Sequence, residues 1–105
     1  MTVIGIQMLE PTAEGKKNLS NRDVEFLNHV AQEIVFARGK FPGTKHMVAV
    51  LLEEVGELAK ALLDYENDIA PKDEIWLEAV QSSAMAMRLA TEGVDGMRYS
   101  RYSNE

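Results

Sequence analysis

Cysteine is absent from this chain of 105 residues. That excludes a disulfide framework, a thiolate zinc site and a cysteine nucleophile. Positive charge is also scarce: Lys and Arg number 11 against 17 Asp and Glu, a formal net charge of -6. No basic cluster is long enough to follow a phosphate backbone, so nucleic acid is not an expected partner. No apolar run approaches a membrane span, and no membrane partner is expected. Met1 to Leu9 has no basic n-region and too short an apolar run for a signal peptide, which makes the cytoplasm the expected location. Internal repeats, low-complexity tracts and a Gly-rich phosphate loop are missing too.

What remains is ordinary for one globular domain: 46% apolar and 27% charged residues, enough for a modest core. Three parts are expected, namely an N-terminal arm over 1–19, a helical domain over 20–94 and a polar tail over 95–105. The arm holds a short β-prone run, Thr2 to Met8. The first helix should start at a Ser20 or Asn21 cap and run to about Arg38, with Val24, Leu27, Val30, Ala31, Ile34 and Val35 on its apolar face and Gly39 ending it. Thr44 is a cap for a second helix reaching Tyr65 or Glu66. Pro71, Asp73 and Glu74 suit the start of a third, lasting until Gly93. The fold class is therefore all-α, a bundle of about three main helices. Helix three is nearly apolar all round and rich in small residues, which predicts completion by a homodimer or homotetramer built through helices two and three.

The unusual stretch is Glu53-Glu54-Val55-Gly56-Glu57-Leu58-Ala59-Lys60. Glu54 and Glu57 project from nearly the same side of a helix, and Glu54 falls inside the apolar stripe of Met47, Val50, Leu51, Leu58 and Ala61. Glu78 repeats the anomaly on helix three, among Ile75, Ser82, Met85 and Leu89, with Gln81 one turn on. An ionised carboxylate placed in a core needs a cation, a proton or a base. Residues 53 to 78 carry nine acids (Glu53, Glu54, Glu57, Asp64, Glu66, Asp68, Asp73, Glu74, Glu78) against Lys60 and Lys72, too few bases to neutralise them. The bland alternative has Glu53 and Glu57 solvated, with Glu57 paired to Lys60. Two antiparallel helices would instead set Glu54 and Glu57 against Glu78 and Gln81, an oxygen-only donor set that suits Mg²⁺ or Mn²⁺.

The run Glu53 to Ala61, with Glu78-Ala79-Val80-Gln81 and Arg88-Leu89-Ala90, resembles the MazG-like all-α nucleoside triphosphate pyrophosphatases over roughly residues 22 to 95. In that superfamily an E-x-x-E pair and an E-x-x-D pair on successive helices bind Mg²⁺. By position Glu54 and Glu57 match the first pair and Glu78 the first acid of the second. Gln81 stands where the family has Asp, bringing an oxygen but no charge; Glu74 and Asp64 lie near the same faces. The resemblance implies hydrolysis of a nucleoside triphosphate to a monophosphate and pyrophosphate. Glu57, nearer the stripe's edge, is the expected catalytic carboxylate that orients or deprotonates water. Lys40, Lys45 and Arg38 are the expected phosphate ligands, whereas Arg88 should pair with Glu92 four residues on. The alternative is a non-catalytic helical oligomer that binds nucleotide or metal as a regulatory module. His29, Trp76 and the methionines are expected to serve packing.

Overall fold

The computed structural model describes residues 19–43 and 45–93. They form α1 (Asn21–Lys40), α2 (Met47–Glu66) and α3 (Asp73–Arg88), and α3 runs on into a wider π-helical turn over Leu89–Gly93. The class is all-α, with the three helices in the expected places. The arm apart from Leu19, the Thr44 cap and the tail over 95–105 lie outside the described residues.

Local chemistry accounts for most helix ends. The Ser20 hydroxyl accepts from the Asp23 N–H, and the Asp23 carboxylate accepts from the Ser20 N–H, both at 3.0 Å. This reciprocal box satisfies two otherwise orphaned donors. Gly39 does not stop α1, because the Phe41 N–H still reaches the Ala37 carbonyl at 2.6 Å. The left-handed residue comes at Gly43, with φ 93, a conformation that a side chain would strain. His46, also left-handed at φ 62, precedes α2 and accepts the Val50 N–H at 3.0 Å. At the far end, the expected third helix loses its α geometry after Arg88. There the Thr91 hydroxyl donates to the Met87 carbonyl at 3.0 Å, a side-chain bond that competes with the helical ladder.

Helix α3 is the centre of the bundle and packs on both α2 and α1. Its two apolar sides are thus used largely within the chain. Val30 and Ile34 of α1 close on Val80 and Ala84 of α3, flanked by Phe26 and Trp76. The Phe26 and Trp76 rings meet edge to face, 5.1 Å apart at 79°. The indole N–H donates to His29 Nδ1 at 2.9 Å, so Trp76 buries its ring with its polar tip satisfied. His29 and Trp76 are packing residues, as their positions in the sequence suggest.

Apolar surface is left over chiefly on α2. Val48, Leu52, Val55, Ala59 and Leu62 recur at spacings of four and three along one side, and all are exposed. Leu52 is 67% exposed, and Gly56 beside it has nothing near the place of a Cβ. Such a seam is consistent with oligomeric packing. Among the described residues no helix is long and apolar enough to cross a membrane.

The core and the cap should separate in a stability measurement. Ile34, 2% exposed, sits at the α1–α3 contact, and Ile34→Ala should cost about 2–4 kcal/mol in urea unfolding. Ser20→Ala, which removes half of the capping box, should cost about 1 kcal/mol.

Candidate metal centre

Helices α2 and α3 bring the two anomalies of the sequence together. One carboxylate oxygen from each of Glu54, Glu57 and Glu78 lies within 4.8 Å of the others. Glu54 and Glu57 come from successive turns of α2, and Glu78 faces them from α3. Glu54 and Glu78 are half-buried, whereas Glu57 is exposed. Glu54 Oε2 and Glu78 Oε2 are buried and accept no hydrogen bond. The Ser82 hydroxyl, one turn beyond Glu78 on the same face, is likewise buried without a partner. Buried polar atoms are nearly always satisfied, so the unpartnered oxygens of Glu54 and Glu78 call for a proton, a water or a cation.

The electrostatics agree. Burial pushes the Glu54 carboxyl above the ordinary range, and the neighbouring charges of Glu57, Glu53 and Glu33 push it further. Burial raises Glu78 too, aided by the adjacent Glu57 carboxylate and then by Glu54 and Glu74. Three carboxylates this close cannot all ionise cheaply without a proton or a cation among them. The bland pairing of Glu57 with Lys60 does not form. Lys60 donates instead to Asp64 Oδ2 at 2.6 Å, which engages Asp64 away from the cluster and leaves Glu57 to it.

Glu54 also borders a cavity of about 510 Å³, whose wall includes Glu33, Glu53, Gln81, Lys40, Lys45 and Arg88. Gln81 therefore faces the same space as Glu54, and the two lysines expected at phosphate line it as well. Arg38 is placed elsewhere: its Nε donates to Glu92 Oε2 at 2.8 Å. Lys40 also lies over the rings of Phe36 and Phe41, at 5.8 and 5.3 Å. The Arg88–Glu92 pair forms as expected, at 3.1 Å.

Glu33 is the acid that the sequence reading missed. It lies on α1 between Val30 and Ala37, within the helix's inward stripe, and burial raises its carboxyl while Lys40 opposes that shift. The signal was available: a carboxylate inside an apolar periodicity, the same anomaly as Glu54 and Glu78. The donor set is all oxygen and fits a hard divalent ion. Glu54, Glu57 and Glu78 could hold it, beside a cavity wall that carries Lys40 and Lys45.

Raised carboxyl pKa values fix the sign of a pH effect in metal-free protein. The folded state holds these protons more tightly than the unfolded chain, so the stability they contribute is full below the ordinary value of 4.5 and falls as pH rises through the raised values. Glu92, held low by Arg88, acts in the opposite sense: its contribution is lost as pH falls. In EDTA, Glu54→Gln should therefore raise the melting temperature at pH 7.5 and have little effect at pH 4. Adding Mn²⁺ at about 100 times its Kd should stabilise the wild-type protein by about 2.7 kcal/mol at pH 7.5. Comparison with protein-family models, with curated proteins and with solved structures finds no match to this chain.

Proposed function

We propose that this chain is a Mg²⁺-dependent nucleotide pyrophosphohydrolase of the MazG-like kind, working as a homodimer or homotetramer. One observation carries the reading: three carboxylates from two helices converge within 4.8 Å, two of them with buried unpartnered oxygens, beside a cavity that also presents lysines. A structural ion-pair network would have put bases among these acids, and the nearest base on α2, Lys60, is turned to Asp64.

In this reading Glu54, Glu57 and Glu78 hold the metal, with the Gln81 amide oxygen on the cavity side. Bound Mg²⁺ supplies neutralisation of phosphate charge and a water of lowered pKa. The chain's own residues do the rest. Glu57, the most exposed of the three, accepts a proton from the attacking water as its oxygen bonds to the α phosphorus, the bond from that phosphorus to the α–β bridging oxygen breaks, and pyrophosphate leaves. Lys40 and Lys45 bind the phosphates. Arg38, engaged by Glu92, contributes to them less. Glu33 supplies near Glu54 the negative charge that Gln81 lacks. The absent charge of Gln81 favours one rival, a helical oligomer that binds nucleotide and metal without turnover.

Pyrophosphate release from a panel of canonical and modified nucleoside triphosphates with Mg²⁺ separates the two. Turnover is expected, and Glu54→Gln should lower kcat by at least about 10²-fold while circular dichroism stays unchanged. No turnover on any substrate, with activity appearing in Gln81→Asp, establishes the binding module instead. Oligomerisation has its own test in sedimentation velocity. Leu52→Glu, on the exposed α2 seam, should convert the assembly to monomers; a wild-type monomer at about 100 μM contradicts it.

A further inference from the structure

The two lysines flank a turn at the cavity wall, Lys40 at the end of α1 and Lys45 beyond the turn, and the buried side chain of Arg88 bonds to that turn. Arg88, at the end of α3, is 4% exposed. Its Nη2 donates to the Phe41 carbonyl at 3.1 Å and to the Gly43 carbonyl at 3.3 Å. The same guanidinium grips Glu92, with Nε to Oε2 at 3.1 Å and Nη2 to Oε1 at 3.2 Å. Glu92 in turn accepts from Arg38 near the end of α1. One carboxylate and two guanidiniums thus join the end of α1, the turn that follows it and the end of α3. Among the described residues of the turn, Gly43 and His46 are left-handed, and Lys40 and Lys45 stand on either side of the segment that Arg88 holds.

We propose that Arg88 is the positioning residue for the anion-binding end of the cavity. It fixes Phe41 to Gly43 so that Lys40 and Lys45 face the same space, and thereby sets the affinity for a polyphosphate without setting the affinity of the carboxylates for a cation. The physical basis is that a buried guanidinium needs its donors satisfied and a fork of fixed geometry imposes that geometry on its acceptors. Removing it leaves the two turn carbonyls free to move with the lysines. This rests on the functional reading above for its ligand class, but not on turnover.

The probes are Mn²⁺ alone and inorganic tripolyphosphate alone, each titrated calorimetrically into the full chain. Arg88→Met should weaken tripolyphosphate binding by about tenfold and leave Mn²⁺ affinity within about twofold of wild type. The decisive measurement is a cycle with Lys40→Ala/Lys45→Ala. If Arg88 acts by placing the lysines, Arg88→Met costs little once they are gone. If its loss is fully additive, Arg88 touches the anion itself and the positioning role is wrong. Should Arg88→Met not fold, Glu92→Gln serves in its place, loosening the same clamp, with a smaller loss of tripolyphosphate affinity expected and Mn²⁺ binding again unchanged. Equal losses for Mn²⁺ and tripolyphosphate, or a wild-type protein that binds no tripolyphosphate, overturn the proposal. A wild-type protein that binds tripolyphosphate but no Mn²⁺ overturns the metal reading and leaves the Arg88 proposal standing.

Discussion

The structure is organised around a repulsion. Glu54, Glu57 and Glu78 are held within 4.8 Å of one another by two helices, and two of them carry raised pKa values because burial and like charge act together. Such a cluster costs the metal-free fold stability at neutral pH, because half-buried like charges are held close together. An all-oxygen donor set of this kind fits a hard divalent cation, the partner we propose for it.

The rest of the bundle can be understood as what makes that arrangement rigid. Helix α3 is clamped from one side by α1, through Val30, Ile34, Val80 and Ala84, and carries Glu78 toward α2 on another. Trp76 of α3 adds a ring contact to Phe26 and a hydrogen bond to His29, both on α1. The Arg88–Glu92 pair then locks its far end to the turn after α1. Rigid elements are what a site needs to hold like charges close, because a loop would relax them apart.

Most of the helices and half of the site were legible from periodicity. Glu54 and Glu78 announced themselves as acids inside apolar stripes, a pattern that burial alone makes costly. Glu33 carried the same signal on α1 but lay outside the two carboxylate motifs on the later helices. What periodicity cannot reach is pairing across long separations. That Arg38 would turn to Glu92, or that Arg88 would hold carbonyls 47 and 45 residues earlier, depends on how the helix ends meet in space. The end of α1 was misjudged for a similar reason: Gly39 permits a stop, yet the Ala37 carbonyl still finds a donor at Phe41. The two-sided apolarity of α3 is partly covered by α1 and α2, while Leu77 and Met87 of α3 and the longer seam on α2 stay exposed.

The central claim, that these three carboxylates form one cation site, is tested most directly by anomalous diffraction at the manganese edge from crystals grown with Mn²⁺. The account predicts an anomalous peak among the carboxylates of Glu54, Glu57 and Glu78, with Glu54 Oε2 or Glu78 Oε2 among its ligands, and no such peak in Glu78→Gln crystals. Absence of a peak there in the wild-type protein at a manganese concentration that saturates any site elsewhere would contradict it.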